Sequence, residues 1–157
     1  PQASVVLDVW EHEPAINPLL LQKVAIATPH IAGYSTDAKL NGSLAIYRQT
    51  CGYFNFPFDE TVIPCLPVTE PDRIHISEYD NPMEAIQMAV LASYDVRADS
   101  AVLRQLLNVS PGDRDAYFSD LRNNYPVRRE FSAMTVLLEE PSDPVRQQLV
   151  KLGFKIE

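Results

Sequence analysis

Two short apolar runs open the chain. Val5-Val6-Leu7-Asp8-Val9 is continuous rather than alternating, rich in β-branched residues, and closes near an acid. It predicts a short buried strand over 5–9. Val24-Ala25-Ile26-Ala27 has the same character and stops at Thr28-Pro29. Unbroken apolar strands of this kind belong to parallel sheets covered on both faces, so the first part reads as α/β. Between the runs lies a loop with Pro14 and Pro18 and a short apolar turn, Leu19-Leu20-Leu21. Little chain precedes the first strand to supply it with neighbours, which reads as a fragment or processed product.

The period then changes from strand to helix. Leu40, Leu44, Tyr47, Cys51 and Phe54 recur at steps of four and three and predict one helix over 36–54 with a single apolar stripe. Pro57, Pro64, Pro67 and Pro71 follow closely. Proline fixes φ and removes a donor, so this stretch predicts an extended arm. The expected division is a sheet remnant with its long helix over 1–56, the proline-rich arm over 57–72, and a second domain over 73–157.

In the second domain Arg73-Ile74-His75-Ile76-Ser77 alternates and predicts a strand. Asn81-Pro82-Met83-Glu84 combines an N-cap, a proline at the first helical position and a closing glutamate, predicting a helix to about Tyr94. Asp99 caps a second helix carrying Val102, Leu103, Leu106 and Leu107, and a third covers 115–124. Phe131 to Glu139 is the longest strand candidate. Asp143-Pro144 opens a last helix ended by Gly153, before a final strand over 154–156. The order β-α-α-α-β-α-β predicts a small two-layer α+β domain. Its short strands leave a sheet face or edge to cover, and pairing with a second copy is the expected cover.

Charge narrows the partners. The chain has 157 residues, 46% of them hydrophobic, with 21 acidic against 13 basic side chains and a net charge of -8. Such a surface repels nucleic-acid backbones and anionic lipid, so neither is an expected partner. No apolar run reaches the roughly 18 residues of a membrane span. Cys51 and Cys65 lack metal or redox spacing and suit a reduced, cytoplasmic protein.

The chemistry clusters in the first 35 residues. Asp8 ends one strand, Glu13-Pro14 follows, and His30 lies just past the other strand. Ligands of open α/β sheets bind outside the carboxyl ends of the strands. Neighbouring strands therefore bring Glu13 and His30 to one edge. Imidazole exchanges protons near neutral pH, and a carboxylate orients the ring and stabilises its charged form. The plainer alternative is a surface coincidence, with Asp8 a turn acid and Tyr34 a cover for the sheet edge. His12 reads as a loop residue, and His75 as facing away from the core. The five glycines, at 33, 42, 52, 112 and 153, form neither a G-x-G-x-x-G nor a phosphate-binding loop. Nucleophile-elbow, zinc-helix and paired-cysteine motifs are also absent, and no metal site is expected.

Leu7-Asp8-Val9-Trp10-Glu11-His12-Glu13-Pro14, followed by Ala27-Thr28-Pro29-His30-Ile31-Ala32-Gly33-Tyr34-Ser35, resembles the closing motif of the D-2-hydroxy-acid dehydrogenases. That motif is a strand and loop of the form LDV(F/W)ExEP followed by a TPHIAG loop. The proline-rich arm and the second domain resemble one branch of the family, whose extra C-terminal domain builds a homodimer. The resemblance implies the end of a Rossmann-type NAD-binding domain, NAD as cofactor and a small phosphorylated hydroxy acid as substrate. It implies His30 as the acid–base residue and Glu13 as the carboxylate that holds it. It implies Asp8 beside the nicotinamide carboxamide, Gly33 as a backbone position at the cofactor, and Tyr34 as a substrate contact. The family's substrate-gripping arginine and glycine-rich loop have no counterpart here, which implies that these residues alone are inactive. Other readings stay open: a phosphoglycerate- or hydroxypyruvate-type dehydrogenase, a non-catalytic dimerisation module, or an effector-binding regulatory domain.

Overall fold

A computed structural model describes residues 4–63, 72–139 and 143–157, with the side chain of residue 143 left out. Half of the expected proline-rich arm, residues 64–71, lies outside these residues, and Cys65 with it. The chain forms two compact units that cut across sequence order. One joins the residues up to Ala32 with Tyr94–Pro126; the other joins Gly33–Ser93 with Val127–Glu157.

The first unit holds strands β1 (Val6–Leu7) and β2 (Ile26–Ala27), paired in parallel with Val6 opposite Ile26. The crossover between them carries helix α1 (Pro18–Lys23). Asn17 starts α1 by accepting the Leu19 and Leu20 N–H groups, with Pro18 where no donor is needed. Two further helices complete the unit, α4 (Val96–Arg104) and α5 (Arg114–Asn123). Leu103, Leu106 and Phe118 from this stretch are buried in one core with Trp10, Ile16, Leu21, Val24 and Ala27. The expected second domain therefore lends its middle helices to the motif-bearing segment.

The first strand is not buried as expected. Among the described residues it pairs only with β2, so Val5 and Val6 stay exposed. Asp95, not Asp99, caps α4 by accepting the Arg97 N–H. Asp99 is instead half-buried, and one of its carboxylate oxygens accepts the hydroxyls of Tyr94 and Tyr125 at 2.6 and 2.7 Å.

The second unit contains the long helix α2 (Thr36–Phe54) and a three-stranded sheet. Ser35 caps α2, and Asn55 ends it in the left-handed conformation. Leu40, Leu44 and Tyr47 are half-buried and Cys51 is buried as a free thiol, but Phe54 at the end of the stripe is exposed. The sheet orders β3 (Arg73–Ile76), β4 (Thr135–Leu138) and β5 (Lys155–Ile156) in sequence. All its pairings are parallel, with Ile74 opposite Val136 and Val136 opposite Ile156. Helices α3 (Pro82–Ser93) and α6 (Asp143–Leu152) pack against each other on this sheet.

Parallel neighbours need long crossovers, and helices supply them. The second half is thus α/β in its described strands rather than α+β. The strand expected over 131–139 is shorter, because Phe131–Ala133 forms a 3-10 turn first. The alternation of β3 sorts its faces as expected: Ile74 and Ile76 are buried while Arg73 and His75 are exposed. Asn81 accepts the Glu84 N–H at 3.1 Å as a cap should. Glu84 closes back on the Asp80 N–H, one residue earlier than a standard box. Gly153, at φ +102, ends α6 where a side chain would be strained.

Candidate acid–base site

Parallel pairing puts the carboxyl ends of β1 and β2 side by side, so Asp8 and Thr28 leave the sheet together. Asp8 ties the two exits. One carboxylate oxygen accepts the Thr28 hydroxyl at 2.7 Å and the Ile31 N–H at 2.8 Å; the other accepts the Ala32 N–H at 3.1 Å. Thr28 also donates its backbone N–H to the Leu7 carbonyl at 2.9 Å.

The loop after β1 turns back through His12, at φ +62, and the cis Glu13-Pro14 peptide. Its carboxylate is aimed by Trp10, whose N–H donates to Glu13 Oε1 at 2.7 Å. The indole of Trp10 is buried and donates to the Thr28 carbonyl at 2.9 Å. This anchors the first loop to the second strand. Glu13 Oε2 then meets His30 Nδ1 at 2.8 Å.

His30 itself stands at φ +56, with its N–H donated to the Asp8 carbonyl at 2.8 Å. An ionised carboxylate only accepts, so the proton of a neutral imidazole lies on Nδ1 and Nε2 is left as the acceptor. The His30 side chain is 41% exposed while that of Glu13 is 18% exposed, so the pair presents its imidazole outward. Asp8, Glu13 and His30 are thus brought together at one sheet edge.

Gly33 and Tyr34 belong to the second unit. Gly33 has φ +72 with open space where a Cβ would stand, so conformation rather than crowding requires glycine. The Tyr34 ring carries the Lys39 ammonium 3.8 Å from its centroid.

Several partners from the distant helices support the site and carry no local signal in the sequence. Ser100, buried on α4, accepts the Ala27 N–H at 3.1 Å, which serves β2 where no further strand pairs with it among the described residues. Arg104 donates to the Leu21 and Val24 carbonyls at 2.8 and 2.6 Å, closing the end of α1. Arg122 on α5 donates from Nε to the His30 carbonyl at 3.3 Å. Beside the pair opens a cavity of about 300 Å³, lined by Glu13, Pro14, Phe118, Ser119, Arg122 and Asn123. Such a volume is at the small end of ligand-sized cavities. Among the described residues, no cluster of His, Cys, Asp and Glu is arranged to hold a metal ion.

The fold and this geometry define an α/β protein with a histidine–carboxylate pair at the carboxyl edge of a parallel strand pair. The chain belongs to the family described as domain of unknown function DUF3410, whose profile matches residues 65–153, more than half of the chain. Over nearly all its length it is also similar to proteins named erythronate-4-phosphate dehydrogenase. The relative from Marinobacter nauticus is 42% identical over 154 residues, covering 98% of this chain and 40% of that protein. Those from Chromohalobacter salexigens and Pseudomonas fluorescens are 38% and 37% identical, over 98% and 96% of this chain. The chain spans about 40% of the length of the curated relatives it matches. The resemblance first carried by residues 5–35 therefore extends across both halves, and the relatives are dehydrogenases by name.

Proposed function

We propose that this chain supplies the acid–base part of a nicotinamide-dependent dehydrogenase that oxidises 4-phospho-D-erythronate to its 2-oxo acid, an early step toward pyridoxal phosphate. The observation that carries the proposal is the 2.8 Å contact between His30 Nδ1 and Glu13, within loops held by Asp8 and Trp10. The shared name of the relatives supports this choice of substrate.

A bound nicotinamide cofactor would supply the hydride acceptor for C2 of the substrate. This chain's residues handle the proton. His30 Nε2 takes it from the C2 hydroxyl, and the resulting imidazolium is stabilised across Nδ1 by Glu13. Oxidation of the alcohol releases one hydride and one proton, so the ring gains charge as C2 becomes a carbonyl; the reverse reaction returns that proton. A positioned acid–base residue of this kind contributes about 100- to 10,000-fold to rate.

Asp8 fits the carboxamide end of the cofactor. Its second carboxylate oxygen carries one hydrogen bond, at 3.1 Å, and has lone pairs left for an amide donor. Gly33 and Tyr34 complete the reading as a cofactor backbone contact and a substrate contact. The chain itself contains no glycine-rich phosphate loop, so turnover requires residues beyond these 157. A homodimer through the second half, in the cytoplasm, belongs to the same reading.

The test is reduced-nicotinamide formation by the full-length protein with NAD, comparing 4-phospho-D-erythronate, 3-phosphoglycerate and D-glycerate. Strong preference for the erythronate ester is expected. Preference for another acid would discard the substrate and keep the His30–Glu13 chemistry; no turnover with any acid would sink the dehydrogenase reading. Light scattering at micromolar concentration checks the dimer, and a monomer mass would remove it.

A further inference from the structure

We propose that Arg122 is a positioning residue for His30, which makes α5 part of the reacting site rather than only of a dimerisation piece. The inference rests on the dehydrogenase reading above.

His30 occupies the left-handed region at φ +56, where a side chain other than glycine persists only if its surroundings over-determine it. Both of its backbone polar groups are held. The N–H is donated to the Asp8 carbonyl at 2.8 Å, and the carbonyl accepts Arg122 Nε at 3.3 Å. With the backbone set this way, the ring meets Glu13 at 2.8 Å. Asp8 fixes one side of the residue from the sheet edge, and Arg122 fixes the other from α5.

Arg122 is itself fixed. Phe118 lies one helical turn earlier on α5, is 1% exposed, and packs in the core that holds Trp10. Trp10 in turn donates to Glu13. The helix that aims Arg122 at His30 therefore shares its anchor with the residue that aims Glu13. An arginine suits this task because its planar group donates along a fixed direction, which a lysine ammonium does not. The cavity is lined by both Glu13 and Arg122, so a small solute within it stands beside both residues. This places the residue that tunes His30 within the stretch matched by the DUF3410 family, far in sequence from the motif loops.

The experiment is Arg122→Ala in the full-length protein, assayed with NAD and 4-phospho-D-erythronate. We expect kcat to fall about 10- to 100-fold, as small misplacements of a reacting group do. The KM for NAD should change less than about twofold, because the loss falls on the reacting geometry. Added methylguanidine should restore part of kcat by occupying the vacated space. Unchanged kcat overturns the proposal. So does a kcat loss that methylguanidine leaves untouched while the melting temperature falls in step, since that is a purely structural role. If the alanine variant does not fold, Arg122→Lys keeps the stem and is expected to fold with the same kcat deficit; native kcat in that variant overturns the proposal.

A native protein inactive on every acid would sink the dehydrogenase reading instead. The positioning is then read from the His30 backbone carbon resonances in histidine-labelled protein. They should leave the left-handed range in the alanine variant, and unchanged resonances overturn the inference.

Discussion

Glu13 Oε2 lies 2.8 Å from His30 Nδ1, and the other oxygen of the same carboxylate accepts the Trp10 N–H at 2.7 Å. Each oxygen of Glu13 thus has one assigned donor. Glu13→Gln keeps the shape but replaces one acceptor by an NH2 group. If the amide oxygen stays on the Trp10 N–H, the NH2 faces His30 and drives the imidazole proton onto Nε2, the atom that accepts the proton in the proposed reaction. In the full-length protein turnover should fall about 100- to 10,000-fold with the fold intact, and His30→Ala should lose at least about 100-fold. Steady-state rates beside melting curves check this. Near-native kcat in the glutamine variant would return the pair to a structural role.

Asp8 works on the same loops by a different route, because both its carboxylate oxygens accept from the segment 28–32. Asp8→Asn turns one of them into a donor facing another donor. Losing a charge-assisted bond of this kind costs about 1.5–3 kcal/mol. The melting temperature should fall, and the Ile31 or Ala32 amide should exchange faster with solvent. Native exchange rates at both amides would show that the loop does not depend on the charge.

How much of this could be read from the chain alone depends on the range of the forces. Asn81-Pro82-Met83-Glu84 starts a helix through its own neighbours, and Gly153 stops one through its own φ. Asp8, Glu13 and His30 meet because two short parallel strands end at the same edge, which apolar runs and a shared motif foretell. The misplaced cap of α4 is instructive. Asp95 and Asp99 are both acids near a helix start, and the choice was decided by tyrosines at 94 and 125, whose hydroxyls occupy Asp99. The partnership of Arg122 with His30 spans 92 residues and leaves no period or spacing to find. The joining of α4 and α5 to the motif segment is equally invisible, since their apolar faces fit any core of the right size.

Asp37 and Arg129 form a largely buried ion pair in the second unit, with side chains 11% and 12% exposed and Nε 2.8 Å from the carboxylate. The Arg129 hydrogen bond holds the Asp37 carboxyl below its ordinary range, against the upward push of burial; the Glu130 N–H adds to the lowering. A carboxyl lowered on folding stabilises the protein above its unfolded value, near 3.8, and that contribution is lost as pH falls through the lower folded value. Arg129→Met should therefore cost about 3 kcal/mol at neutral pH by leaving a buried carboxylate without its cation. The deficit should shrink on acidification, because burial alone favours the protonated acid. Denaturant melts at pH 7 and pH 3 measure both statements, and a deficit that grows toward low pH would reverse the assignment.

Phe118 connects packing to the site most directly. It is 1% exposed, in the core with Trp10 and Leu103, and it also lines the cavity beside Glu13. Phe118→Ala removes a buried ring and leaves a hole, a change that costs about 3–5 kcal/mol. The loss should surface where α4 and α5 hold the motif segment. Without the ring, the Ala27 N–H should exchange faster as its bond to Ser100 opens more often. The Trp10 indole, buried at 5% exposure, should shift its fluorescence toward the red as water reaches it. If both probes stay native while global stability drops by the stated amount, the core is coupled to folding but not to the geometry of the acid–base loops. If both move, the packing of α5 sets how well Glu13 is aimed at His30.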